Sequence, residues 1–356
     1  MKKFDYSILE NQTYDMEMIR LVSRIYMYKN KKYDEKKLLK LMDTTQLQSA
    51  YASLCMEDVK VSKSRLKKIC LKDEILKNDA EKMVKGYYDV LRIIHMNYEH
   101  IPLQPHFILQ MHKDLFQYTD EEAGIFKNIQ NYVHGKDENG TDHTLFTPLA
   151  PYETLEAMDL ICESYNTCIQ QNKIEPLILM AAFIHDFLSI HPFLAGSGKM
   201  SRLLMQLLLL RSGYAIGFYN SIEQKIMENK EAYYASLMRC HSHWDENPCV
   251  DMDFMKLILR IILSCYEDLD SIMTNSNVKQ KAYDQIVKVL SSFSTFTKRD
   301  VMEKCPMLSQ KTVEACLKRL LDEHQIVKEG KGRATYYQRN VNYSATSYRA
   351  CRNHRI

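Results

Sequence analysis

The sequence predicts an all-α protein: a helical bundle interrupted by one small β-hairpin and followed by a C-terminal winged helix-turn-helix. Three observations carry that prediction. The 356 residues include only 10 Gly and 8 Pro, against 20 Met and 23 Tyr, and 46% are hydrophobic, which is enough to bury a core. Apolar residues recur at spacings of three and four along most of the chain, the period of one helix face. Turn residues and β-prone residues, in contrast, gather mainly in one internal stretch and near the C-terminus.

The elements follow in order. Residues 13–30 place Met16, Ile19, Val22, Ile25 and Tyr26 on one face. A second periodic stretch runs through Leu38, Leu41, Leu47, Tyr51 and Leu54, and others lie near 78–98 and 105–116. Residues 120–151 then bring Gly124, Gly135, Gly140, Pro148 and Pro151 in a polar setting, with Asn139-Gly140 as a turn signal. The β-prone pieces Ile125-Phe126 and Asn131-Tyr132-Val133 make this a loop or small hairpin inserted between helices. Helices resume at 152–170 and 176–190, break at His191–Gly198, continue from Lys199 to about Arg211, and recur near 222–240 and 251–273. The polar run Thr274–Val278 is the expected boundary. Beyond it, helices are expected at 280–292, from Thr297, and from Ser309, which suits an N-cap. Gln325–Glu329 and Ala334–Gln338 flank the basic tip Gly330–Arg333 as a hairpin. This pattern resembles a winged helix, with DNA contact and pure protein contact as its two uses. The expected divisions are a helical region at 1–100, a core at 101–273, a winged helix at 279–340 and a basic tail at 341–356.

Charge and cysteine content narrow the classes. The net charge of +3 hides an asymmetry: from Asn277 onward there are 16 Lys/Arg against 7 Asp/Glu, and before it 32 against 38. A basic C-terminal module suits nucleic acid, and it alone does. The ten cysteines form no CxxC, which argues against a zinc ribbon or a disulfide framework and for reduced, mostly buried thiols. The longest apolar runs, such as Leu203–Leu210, fall far short of the roughly 20 residues that span a bilayer. No apolar signal follows Met1-Lys2-Lys3, so the expected address is the cytoplasm, with no membrane partner.

Chemistry concentrates in His191-Pro-Phe-Leu-Ala-Gly-Ser-Gly-Lys-Met-Ser-Arg202. An apolar helix ends at His-Pro, a Gly-rich turn follows, and a new helix begins. Unpaired N–H groups at that helix start attract an anion, and the glycines let it come close. Lys199 and Arg202 are three apart and can face one ligand. The local physics is a phosphate cradle with a histidine at its rim. A Walker A loop is excluded, because Phe193 stands where its first glycine belongs and Met200 where its Ser or Thr belongs.

The segment resembles the Fic family signature, HPFx[DE]GNGRxxR, through His191, Pro192, Phe193, Gly196, Gly198 and Arg202. Arg211-Ser-Gly-Tyr214, Glu231-Ala-Tyr-Tyr234, Gly124–Asn131 and Phe146-Thr-Pro148 also fit, so the resemblance covers roughly 40–270. It implies an all-helical domain that transfers AMP from ATP to a Ser, Thr or Tyr hydroxyl of a protein target or of itself. His191 would be the general base and Phe193 the anchor of the loop. Gly196, Ser197 and Gly198 would supply backbone donors to the phosphates, and Lys199 and Arg202 would hold the outer ones. Asn131, Tyr132, Val133 and His134 would cover the nucleotide and align the target by strand-like pairing. Tyr233 and Tyr234 would lie near the adenine or ribose, unless they simply pack the helix. His185 is read as a core or supporting histidine. The resemblance also admits a homodimer and a bacterial-type protein.

The departures matter equally. The acidic residue that normally holds Mg²⁺ is Ala195, so the usual ligand is absent and no metal-binding residue is assigned. Ser197 replaces Asn, and Lys199 replaces Arg, which keeps the charge and loses the bidentate fork. Asp142, Asp137 and Glu138 remain open as substitute ligands. Three outcomes follow: transfer with altered Mg²⁺ dependence, use of another nucleotide, or binding without turnover. Upstream, Ser53 and Glu57 are i and i+4 in a stretch that resembles the family's inhibitory motif, [ST]xxxE[GN], with Asp58 as a departure. That implies an inhibitory helix near 47–58 in which Glu57 pairs with Arg202. The alternative is a catalytically silent, nucleotide-sensing DNA-binding regulator.

Overall fold

The computed structural model describes residues 4–11, 14–57, 59, 61–136, 142–241, 244, 252–274, 278–290, 293, 295–305, 308–330, 332 and 335–340. The chain divides into two compact units between Leu269 and Asp270.

The first unit begins with a 3₁₀ turn at Tyr6–Asn11, followed by α1 (Met16–Lys29), α2 (Glu35–Cys55), α3 (Lys63–Leu71), α4 (Asp79–Asn97) and α5 (Pro105–Leu115). A two-stranded antiparallel hairpin follows, β1 (Val133–Lys136) with β2 (Asp142–Phe146). Then come α6 (Pro151–Gln171), α7 (Pro176–Ile190), α8 (Ser197–Arg211), α9 (Ile216–Tyr219), α10 (Ile222–Glu228), α11 (Lys230–His241) and α12 (Met252–Thr274), within which the division falls.

Local chemistry explains most starts. The side chains of Asp15, Asp34, Ser62, Asn78 and Ser221 each accept an N–H of the first turn, satisfying a donor that the helix leaves open. Pro105, Pro151 and Pro176 open α5, α6 and α7, where the missing N–H costs nothing.

The centre is set by α7 and α8. Every residue from Leu177 to Ile190 is buried, and so is nearly all of Ser197–Leu210. A helix that is apolar all round belongs inside a bundle. Accordingly α7 packs between α6 and α8, and α8 also meets α2, α4 and α9. The loop between these two helices, His191–Gly196, therefore leaves one buried helix and enters another, and both ends of the loop are fixed by core packing.

Some expectations change. The stretch expected as one helix at 222–240 breaks at Asn229, whose N–H closes α10 on Ile226 while its carbonyl accepts from Tyr233 to start α11. Ile125-Phe126 forms no strand, since the backbone N–H of Lys127 is bound to Pro192 instead. Asn131 and Tyr132 precede β1. The flap tip with Asp137, Glu138, Asn139 and Gly140 lies outside the described residues, and so does Asp58. Among the described residues no helix is long and apolar enough to cross a membrane.

The second unit holds α13 (Val278–Leu290), β3 (Thr295–Phe296), α14 (Lys298–Lys304), α15 (Gln310–Asp322), β4 (Ile326–Glu329) and β5 (Tyr336–Arg339). The strands form an antiparallel sheet in the order β3-β5-β4. Tyr283, Ile286, Leu290, Phe296, Val301, Val313, Leu317, Leu320 and Ile326 make its core. Ser309 caps α15, and Thr297 and Asp300 form a capping box on α14. Two-residue β3 carries no readable periodicity, and the sequence did not signal it. Lys331, Arg333 and the tail 341–356 lie outside the described residues.

Candidate active site

The loop starts where α7 stops. His191 adopts a left-handed conformation, φ +47°, and its N–H closes the helix on the Phe187 carbonyl at 3.0 Å. Such a backbone costs a non-glycine residue on the order of 1 kcal/mol, so its surroundings must hold it. Phe193 is fully buried, and its ring stacks on His112 with centroids 3.7 Å apart. Gly196 at φ +82° begins α8; a Cβ there would lie 2.7 Å from the Phe116 ring, so only glycine fits. The Ser197 hydroxyl turns inward and accepts from the Phe193 N–H at 3.1 Å.

On the backbone side, the loop is gripped by His112 and Lys127, which the sequence did not single out, and by Asn131, which was expected to cover the nucleotide. His112 Nδ1 accepts the Gly124 N–H at 3.0 Å, which leaves the proton on Nε2 to donate to the Ala195 carbonyl at 3.0 Å. Burial holds that imidazole neutral, its pKa pushed down to about 4. The Lys127 ammonium, almost wholly buried, donates to the Ile190 carbonyl at 2.8 Å and to Asn131 Oδ1 at 3.0 Å. Burial pushes it down to about 8. Asn131 Nδ2 donates to the carbonyls of His191 and Phe193 at 3.0 and 2.9 Å.

On the side-chain side, α2 delivers Ser53 and Glu57. Arg202 is buried; its Nε donates to Ser53 Oγ at 2.9 Å, and its Nη2 to the Ser53 carbonyl at 3.0 Å and to Glu57 Oε1 at 3.2 Å. Lys199, also buried, pairs with Glu57 Oε2. A Cβ on Gly198 would lie 3.7 Å from Glu57 Oε1, so the carboxylate stands directly at the start of α8. Burial alone would raise the Glu57 carboxyl, but the charges and hydrogen bonds of Lys199 and Arg202 outweigh it and hold it below its usual range. His191 is pushed down to about 4, first by burial and then by the charge of Lys127, against the opposing pull of the Leu188 backbone and Glu57.

The structure thus brings together His191, Gly196, Ser197, Gly198, Lys199, Arg202, Ser53, Glu57 and Asn131. Tyr132 is exposed, and Val133 and His134 lie at the start of β1. Tyr233 is core, buried against Phe254 with its pKa raised by burial to about 12, and Tyr234 is half-buried beside it. His185 is buried against Phe254. No group of three or more His, Cys, Asp or Glu among the described residues could hold a metal ion. At Ala195 the side chain is a methyl group and the carbonyl already accepts from His112, so the donor set does not fit Mg²⁺.

Residues 102–209 match the model of the Fic/DOC family. Over this stretch the chain is similar to that family. Its fold is similar to that of a Fic family protein from Desulfovibrio desulfuricans G20, with a TM-score of 0.61 over 94% of this chain and 98% of that one, at 16% identity. It is likewise similar to Fic-1 from C. elegans, with a TM-score of 0.60 over 73% of each chain, at 20% identity. Among curated relatives, the Drosophila grimshawi "Protein adenylyltransferase Fic" is 32% identical over 108 residues, covering 30% of this chain and 20% of the relative. The Caenorhabditis elegans "Protein adenylyltransferase fic-1" is 30% identical over 140 residues, 39% and 24% of the two chains. This chain therefore spans about a fifth to a quarter of the length of these relatives. The Fic domain match encloses α5, the hairpin, α6, α7, the signature loop and most of α8.

Proposed function

We propose that this chain is a protein adenylyltransferase, transferring AMP from ATP to a Ser, Thr or Tyr hydroxyl of a protein target or of itself, with Glu57 as its resident inhibitor. The observation that carries this reading is the Glu57 carboxylate, an anion shared by Lys199 and Arg202 at the start of α8 beside His191. A phosphate would want the same two cations. A cradle closed by its own carboxylate is expected of a site that must be restrained, whereas a silent site needs no restraint.

The reaction follows from the geometry. The target hydroxyl attacks the α-phosphorus of ATP, the bond to the β-phosphate oxygen breaks, and pyrophosphate leaves. His191 takes the hydroxyl proton. At neutral pH the imidazole is in its basic form, and the incoming triphosphate, more negative than the carboxylate it displaces, raises its affinity for that proton. Backbone donors of Gly196, Ser197 and Gly198 meet the developing charge. Since the donor set does not fit Mg²⁺, the charge of the outer phosphates falls to Lys199 and Arg202. Tyr132, just before β1, and Val133 and His134, at its start, are assigned to the target segment, and Tyr234 to the nucleoside side. The inhibitory helix is assigned to 47–58, the catalytic core to 101–273 and a winged helix to 279–340.

Incubation with α-labelled ATP tests this reading, with and without Mg²⁺, on wild type, Glu57→Gly and Glu57→Gly/His191→Ala. Label that rises in the first variant and vanishes in the second is expected. No label in any variant, with ATP binding retained by calorimetry, would leave the nucleotide-sensing regulator, which Ala195 favours. The DNA contact of that alternative falls to α15, where Gln310, Lys311 and Lys318 are exposed. A gel shift that weakens steeply with salt would support it.

A further inference from the structure

Four consecutive carbonyls at the end of α7 and the start of the loop, Ile190, His191, Pro192 and Phe193, are each bound by Lys127 or Asn131, and Phe193 also by the Ser197 hydroxyl at 3.3 Å. Lys127 takes Ile190 with its ammonium at 2.8 Å and Pro192 with its own N–H at 2.8 Å. Asn131 takes His191 and Phe193 with one amide nitrogen at 3.0 and 2.9 Å. The two residues are joined to each other, Lys127 Nζ to Asn131 Oδ1 at 3.0 Å. A loop that is to bind an anion must keep its carbonyls away from that anion, since each is a partial negative charge. The left-handed His191 stands in the middle of this clasp.

The choice of a lysine is unusual. The residue is 4% exposed, and the two partners of its ammonium are neutral oxygens, so burying the charge costs more than burying a neutral donor there would. A neutral donor would serve the clasp alone. The charge has a second effect: it acts on His191. The charges that act on that imidazole are Lys127 from the segment before β1 and Glu57 from just past α2, and Glu57 is itself paired with Lys199 and Arg202 from α8.

We propose that Lys127 is a positioning residue for the transfer step: with Asn131 it fixes the carbonyl edge of the loop, and its charge adds to burial in keeping the His191 imidazole free of a proton until the target hydroxyl supplies one. This rests on the adenylyltransferase reading, and its test separates the two. In the Glu57→Gly background, Lys127→Gln keeps a donor and loses the charge, while Lys127→Arg keeps both. Lys127→Gln is expected to lower kcat about fivefold near pH 4, with KM for ATP within threefold, and to match its parent at neutral pH, because the acid limb of the rate profile moves up from about 4 by about one unit. Lys127→Arg is expected to leave that limb in place. Independently of activity, ¹³C-histidine NMR, with the His191 signal assigned by its loss in His191→Ala, is expected to show His191 titrating at higher pH in Lys127→Gln. A folded Lys127→Gln protein with an unchanged His191 titration overturns the proposal, and so does a rate that falls equally at every pH. If Glu57→Gly transfers no AMP at all, the adenylyltransferase reading fails, and the NMR titration alone still decides the role of Lys127.

Discussion

Two segments hold the signature loop, and they do so by different chemistry. Residues 112–131 bind it through its backbone: His112, Lys127 and Asn131 take the carbonyls of residues 190–193 and 195, in the interior, by hydrogen bonds between 2.8 and 3.0 Å. Residues 53–57 bind it through side chains: Ser53 and Glu57 take Lys199 and Arg202 by ion pairs and charged hydrogen bonds, and the Glu57 side chain is 34% exposed. The first set has no competitor, because no ligand replaces a buried backbone contact without unfolding its surroundings. The second would have one in the proposed reaction, since a triphosphate offers the same two cations more charge than one carboxylate does. On the proposed reading one set is scaffold and the other a removable stopper, and they meet neighbouring parts of one stretch, residues 190–195 and Lys199 with Arg202.

Perturbing either side should separate them. Removing the base is the largest blow: His191→Ala in the Glu57→Gly background should lower AMP transfer by about 10²–10⁴, read from label incorporation, without loss of fold. On the scaffold side, Phe193→Ala empties a fully buried site against His112 and should cost about 3–5 kcal/mol in denaturant unfolding. On the stopper side, Glu57→Gly should raise transfer by roughly tenfold or more, one order of magnitude corresponding to the loss of about 1.4 kcal/mol of competition. Ala195 is exposed, so Ala195→Asp has room for a carboxylate, and in the Glu57→Gly protein it should make transfer rise severalfold with Mg²⁺. The smallest effect concerns pH. The Glu57 carboxyl is held below its usual range, so its contribution to stability is present above the unfolded pKa and is lost as pH falls through the folded one. With Glu57 a third exposed, that contribution is about 1 kcal/mol or less. Thermal melts of wild type and Glu57→Gln should differ at neutral pH and converge below the ordinary carboxylate range.

The same contrast explains what could be read without coordinates. Most helices of the first unit announced themselves by period, and α7 and the Leu203–Leu210 run of α8 by being strongly apolar. The stopper was also legible, because Ser53 and Glu57 share a helix face at i, i+4 and Arg202 lies in a recognisable stretch. The scaffold was not. Lys127 and Asn131 reach residues more than fifty positions downstream, and nothing in their own neighbourhood says that they face carbonyls. His112 reads as one more polar residue on an amphipathic helix until Phe193 is laid on its ring. α3 was missed because only Leu66, Ile69 and Cys70 of its nine residues are buried, too few to set a period. The break at Asn229 was hidden because the apolar face continues across it. Tyr233 turned inward toward Phe254, the packing that any tyrosine on a helix can adopt.

A crystal structure of Glu57→Gly with a non-hydrolysable ATP analogue tests the account most directly. The account predicts the outer phosphates on Lys199 and Arg202, where the Glu57 carboxylate stands, with the bonds from Lys127, Asn131 and His112 to the loop carbonyls unchanged. An analogue bound away from these two cations, or a loop whose carbonyls have let go of their partners to admit it, would contradict the division between scaffold and stopper.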